Sequence, residues 1–233
     1  MKPRLKRFLK WTAIAFGLVL VAFFSWNAYY TWSTGRRLEA RLLQLRDAGE
    51  PLSIAALAAP TIPPETNADV PFQRVVSHLE AFQKELTTLV PETSRAAAPL
   101  TPDVQDKLDA LFSEYPRVVP HLLEAADRPG YAHDYDVSLP PTPFLSEVFQ
   151  GIGAKRAAGR ILLSWSALQA ARGDRDQAMA AALGVIRLAR HWSHDPTMSN
   201  DLGSIAVART GMHGAVDVLA AGPVSGASRR ALD

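Results

Sequence analysis

Apolar residues return every three or four positions along most of this chain, and no stretch alternates long enough to predict a strand. Phe72, Val76, Leu79, Phe82, Leu86 and Leu89 predict a helix running to Val90, capped by Asp69 and carrying Pro71 in its first turn. Thr101-Pro102 opens a second helix with Val104, Leu108, Leu111 and Tyr115 on one side. Pro116 breaks or kinks it, and Val119, Leu122 and Leu123 resume the pattern as far as Arg128-Pro129-Gly130. The segment GYAHDYDVSLPPTP reads as a loop of about 13 residues. The longest periodic run, Phe144 to Arg172, bears Leu145, Val148, Ile152, Ile161, Leu162, Trp165 and Leu168, and Gly173 ends it. Asp174 caps the next helix at once, with Ala178, Ala182, Val185, Leu188 and Trp192 along it to His194. Asp195-Pro196 then supplies a cap and a first-turn proline for a last long helix to Ala221. Met198, Leu202, Ile205, Met212, Val216 and Leu219 are expected to face inward there, with Gly222 closing the helix. A further turn begins at Ser225 or Ser228.

Small residues crowd two of these helices. Gly151, Gly153, Ala154, Ala157, Ala158 and Gly159 on one, and Ala178, Ala180, Ala181, Ala182 and Gly184 on the next, predict close packing of antiparallel neighbours. The expected fold is all-α, a bundle of antiparallel hairpins over residues 69–233.

The amino end follows another pattern. Residues 1–10 carry Lys2, Arg4, Lys6, Arg7 and Lys10, and the next 22 positions, Trp11 to Trp32, carry no charge. As a helix that stretch is roughly 33 Å long, the thickness of a bilayer's hydrocarbon. Trp11 stands at one end, and Trp26, Tyr29, Tyr30 and Trp32 crowd the other, as aromatic belts do. The apolar core is long for a secretory signal peptide, and cleavage after Ala28 or Ser25 would place bulky Trp26 or Phe23 at the minus-three position. The site after Gly35, with Ser33 at minus three, fits locally but lies far from the apolar core, so an uncleaved anchor is favoured over a cleaved signal. Residues 11–32 therefore read as a transmembrane helix contacting lipid, in the inner (cytoplasmic) membrane of a bacterium. Five basic residues precede the span and Arg36, Arg37, Arg41 and Arg46 follow it, which favours an extracytoplasmic remainder by a narrow margin. Leu38, Leu42 and Leu45 predict a juxtamembrane helix over 33–49 that Gly49 ends. Prolines at 51, 60, 63 and 64 make residues 50–68 a connector.

Charge narrows the function. The net +2 resides in the first ten residues; beyond them 20 Lys and Arg stand against 23 Asp and Glu. No broad positive field remains for nucleic acid. With no cysteine, the chain has no disulfide, thiolate nucleophile or cysteine-bound metal.

The stretch LLSWSALQAARGDRDQAMAAALGVIRLA, residues 162–189, resembles one tetratricopeptide-type hairpin, with Gly173-Asp174 at the turn and Ala178 where close packing needs a small residue. No second copy lies 34 residues away. The order of parts resembles a group of uncharacterised bacterial envelope proteins, matched at Gly49 to Ser53, Pro63 to Asp69 and Arg172 to Ala178. That resemblance implies a helical fold and an envelope location, and no activity.

Candidate chemistry is sparse. His191 and His194 beside Asp195 lack further zinc ligands, and the loop His133-Asp134-Tyr135-Asp136 lacks the glycine and distal glutamate of a calcium loop. Gly151-Ile152-Gly153-Ala154-Lys155-Arg156 meets no phosphate-loop pattern and reads as helix packing. Lys155, Arg156 and Arg160, cations in a small-residue helix, need solvent or a carboxylate such as Glu147. Ser164, Ser166 and Ser193 have no nucleophile context. No catalytic, cofactor-binding or metal residue is assigned, and no cofactor is expected. The leading expectation is a membrane-anchored protein-interaction or scaffold module with an exposed apolar groove or an uncapped helix pair near the carboxyl end. The alternatives are an envelope hydrolase using a carboxylate acid such as Glu147, and a small-ligand sensor.

Overall fold

The computed structural model describes residues 3–50, 52, 62–89, 100–136, 138–195 and 197–230, with side chains from Phe16 onward except those of Pro141 and Arg229. Val90, Pro196, the side chains of the basic tail and of the first five residues of the expected span, and most of the connector lie outside it. The chain divides into two units, Met1–Leu57 and Ala58–Asp233.

Among its described residues the first unit holds one helix, α1 (Pro3–Asp47). It ends in a Schellman motif: Gly49 has φ 75°, Glu50 N donates to the Leu45 carbonyl at 2.9 Å and Gly49 N to that of Arg46 at 3.0 Å. Leu38, Leu42 and Leu45 thus lie on the same helix as the apolar stretch. Among the described residues no helix is long and apolar enough to cross a membrane. Within the most apolar run, Ala13 to Phe24, side chains are described from Phe16 onward, and the helix beyond it includes Ser25, Asn27, Thr31 and Ser33.

The second unit is all-helical: α2 (Asp69–Leu89), α3 (Pro102–Glu114), α4 (Val118–Asp127), α5 (Pro141–Ala171), α6 (Arg175–Trp192), α7 (Met198–Ala221) and α8 (Gly226–Arg230). Pro116 separates α3 from α4. α5 starts three residues before the periodic run does, because proline is tolerated in a first turn, where the N–H has no intrahelical partner. Asp174 caps α6 by accepting from Gln177 N at 3.0 Å. α5, α6 and α7 form the most intimate group, and α2 and α4 pack beside them.

Phe72, Leu79, Phe82 and Leu86 of α2 meet Leu108 and Phe112 of α3, Leu122 of α4, and Ile161, Leu162 and Trp192 in one main core. Rings at its centre pack edge to face: Phe112 lies 4.9 Å from Trp165 at 70°. A smaller core gathers Met179, Ala182, Ala215, Val218 and Val224 at the far end. Ser225 N and Ser228 Oγ donate to Asp176 Oδ1, at 3.0 and 2.6 Å, and tie α8 to α6.

α7 corrects the sequence expectation. Met198, Leu202, Ile205, Met212, Val216 and Leu219 are all exposed, by 44 to 78%. Gly203, Ser204, Val207, Gly211, Gly214, Ala215 and Val218 face inward instead. The reason is distance. A Cβ on Gly211 would lie 2.8 Å from Ile186 Cγ1, 3.0 Å from Val185 Cβ and 3.1 Å from the Ala182 carbonyl, so α7 lies too close to α6 for larger residues. On α5, Gly159 plays the same part against Val207, whereas Gly151 and Gly153 face open space and pack nothing.

Candidate functional site

The polar centre of the second unit is assembled from four segments. The turn into α2 contributes Asn67, whose side chain clasps the chain from Gly130 onward. Its Nδ2 donates to the Ala132 carbonyl at 2.8 Å, and its Oδ1 accepts from Ala132 N at 3.1 Å and from Asp69 N at 3.0 Å. Backbone bonds from Ala68 N to the Gly130 carbonyl and from Gly130 N to the Thr66 carbonyl complete a short parallel bridge. Asp69, expected to cap α2, is its first helical residue. Its carboxylate accepts from Gln73 Nε2 at 3.0 Å and pairs with His133 Nδ1 at 2.9 Å.

Held this way, residues 131–136 run extended with a two-residue period. Tyr131 and Tyr135 are buried and His133 is partly buried, while Asp134 and Asp136 are exposed. The inward side chains meet Lys155 of α5 and the turn between α6 and α7. Lys155 Nζ pairs with Asp195 Oδ2, donates to Asn200 Oδ1 at 3.2 Å, and stands 5.6 Å from the centre of the Tyr131 ring. Tyr131 and Tyr135 hydroxyls donate to the same Asp195 oxygen at 3.4 and 3.2 Å, and Asn200 Nδ2 donates to Tyr135 Oη at 3.2 Å. Lys155 and Asp195 are 6 and 7% exposed, and Asn200 1%.

A charge buried this deeply is tolerated only when paired and hydrogen-bonded. Burial pulls the Lys155 ammonium below its ordinary range, against the pull of Asp195. Burial, then the charge of Asp195, pushes the Tyr131 and Tyr135 hydroxyls well up, so both remain donors. For His133 burial acts downward, but the hydrogen bond and charge of Asp69 outweigh it and the net shift is upward. Its Nε2 faces Glu147 at 4.0 Å.

The structure therefore separates residues that sequence reasoning grouped and joins others it kept apart. Lys155 pairs with a carboxylate, but with Asp195 rather than Glu147. Asp195 does not cap α7; Thr197 does, accepting from Asn200 N at 3.3 Å. His191 turns toward the Tyr131 ring, with centroids 6.3 Å apart, while His194 is exposed with Nδ1 on the Arg190 carbonyl at 2.8 Å. Asp136 accepts from Ser138. Ser166 and Ser193 donate to the carbonyls of Ala178 and Arg190. Arg156 is exposed at the rim, where a shallow dip lined by Ile152, Lys155, Trp192 and Asn200 leaves no volume for a water molecule. Among the described residues no three His, Asp or Glu side chains are grouped to hold a metal ion.

Sequence reasoning missed Asn67, Tyr131 and Asn200. The one legible signal was Lys155 itself, a cation among alanines and glycines that had to find a carboxylate. Chemically the arrangement is a clasp: it neutralises its own charges and joins α2, the 131–136 segment, α5 and the start of α7.

No family model, curated protein or solved structure matches this chain.

Proposed function

We propose that the protein is a single-pass, membrane-anchored helical domain that binds another protein at a bacterial cell envelope, as a scaffold or assembly subunit. The observation that carries this reading is the outer face of α7. Six large apolar side chains lie exposed along one helix, more than scattered surface hydrophobics explain and the usual mark of an interaction surface. The buried clasp supports it by tying the start of α7, through Asn200, to Lys155 and Tyr135.

The anchor rests on residues 11–32. From Phe16 to Trp26 the large apolar side chains of α1 are 40–71% exposed, as lipid-facing residues are in a helix considered alone. Tyr29, Tyr30 and Trp32 follow, with the Arg36 guanidinium 4.4 Å from the Trp32 ring centre, a pairing suited to the headgroup level. The extracytoplasmic side is the cheaper one for the domain, since the basic tail stays inside. Reporter fusions at both termini and alkaline extraction of membranes test the anchor. Retention in the membrane with an extracytoplasmic carboxyl terminus is expected; recovery of a soluble polypeptide lacking its first thirty or so residues overturns it.

A second reading, an envelope hydrolase with Glu147 as acid, has one observation in its favour, the approach of Glu147 to His133 Nε2. Loss of a wall-degrading activity in Glu147→Gln, with the melting temperature unchanged, would establish it.

A further inference from the structure

The exposed face of α7 has a regular spacing. Met198, Leu202, Ile205, Arg209, Met212, Val216 and Leu219 follow one another at alternating steps of four and three residues. That is the a/d repeat of a coiled-coil seam, maintained over the whole helix. In an ordinary bundle helix such a stripe faces the core; here the core side is taken by Gly203, Val207, Gly211 and Gly214, and the seam is left outside.

We propose that this seam pairs with the same seam of a second copy of the chain, antiparallel, about a twofold axis crossing α7. The proposal rests on the interaction-module reading and names its partner. Three observations select a second copy. An uninterrupted a/d spacing is matched by another helix of the same repeat, and an isologous contact supplies that helix from the protein itself. The six apolar residues, 44 to 78% exposed, offer at most roughly 600 Å² per copy, so a pair that covers them fully buries about 1,200 Å², the lower end of specific interfaces. The third is charge. Arg209 is the one ionic residue in the seam, and parallel pairing would set two guanidiniums at the same level. Antiparallel pairing with Leu202 opposite Met212 of the second copy sets Arg209 against Ile205 of that copy. Its guanidinium then reaches Asp201 of the second copy, which flanks the seam one turn away and is exposed. The twofold axis makes this ion pair twice.

The chain has no cysteine, so introduced thiols report geometry without interference. The full chain would be made as Leu202→Cys and as Met212→Cys with different tags, mixed in phospholipid nanodiscs or co-expressed in membranes, and oxidised. The expected product is a mixed disulfide dimer at least tenfold more abundant than either same-site dimer. Same-site dimers in excess overturn the antiparallel arrangement. A monomer by sedimentation with no crosslink in any mixture overturns the second copy as occupant. A photo-crosslinker at Ile205 that captures only a different protein overturns the second copy but leaves the interaction reading standing; capture of lipid alone overturns both. Arg209→Asp paired with Asp201→Arg restores dimer that either change alone weakens about tenfold, and a circular dichroism melt confirms that each variant folds.

Discussion

Lys155 and Asp195, 40 residues apart in sequence, form a buried ion pair that Asn200, Tyr131 and Tyr135 complete. Removing one partner leaves a buried charge alone. Asp195→Asn or Asp195→Ala is expected to destabilise the domain by about 3–5 kcal/mol, while the double change to Lys155→Met and Asp195→Leu recovers much of that loss. Urea unfolding of the three variants checks the difference.

His133 and His191 are expected to oppose one another in pH dependence. His133 has a raised folded value, held up by Asp69 against its own burial, so its contribution is complete below its ordinary value near 6.5 and is lost as pH rises through the folded value. Burial lowers His191, so its contribution is present above its ordinary value and is lost as pH falls through the folded one. Against burial and the Lys155 charge, Asp69 and Asp195 set its sign, and Glu147 faces its Nε2 at 4.0 Å. His133→Gln should therefore lose its advantage mainly at about pH 5.5 rather than pH 8, and leave a profile that rises with pH; melting curves across that range read it.

Two glycines should respond in opposite directions to the same change. Gly151→Ala meets nothing within 4 Å and gains helix propensity, so it should stabilise by up to about 1 kcal/mol. Gly211→Ala presses on Val185 Cβ and the Ala182 carbonyl, and overpacking of about 1–3 kcal/mol outweighs the same gain. Thermal melts of the pair decide it.

The two faces of the last helices should be equally distinct. Leu188→Ala, in the core, is expected to cost about 2–5 kcal/mol. Ile205→Ser, on the outer face of α7, should stay within about 0.5 kcal/mol in monomeric protein. A large loss at Ile205 would mean that the residue packs inward after all.

The helical pattern was legible because α2 and α6 use large apolar residues at helical spacing on one side: Phe72, Leu79, Phe82 and Leu86, then Val185, Leu188 and Trp192. It misled at α7, which carries two candidate stripes, one of large residues and one of small. Hydrophobicity alone favours burying the large stripe. The close approach of α6 reverses that choice, and no local property of Met198 or Ile205 reveals it. The clasp was illegible for a related reason. Asn67, Tyr131 and Asn200 are ordinary turn, loop and helix-start residues until chain segments 45 to 65 residues apart meet.

By itself the sequence determined the helices and most of their ends, because periodicity, Pro102, Gly173 and Asp174 act within a turn or two of the residues they govern. It also determined the uncharged stretch at the amino end and the lack of any thiol chemistry. Only the tertiary structure decided which face of α7 is buried, which carboxylate neutralises Lys155 and which loop residues turn inward. Those outcomes depend on distances between helices, and such distances are set jointly by side chains far apart in the chain.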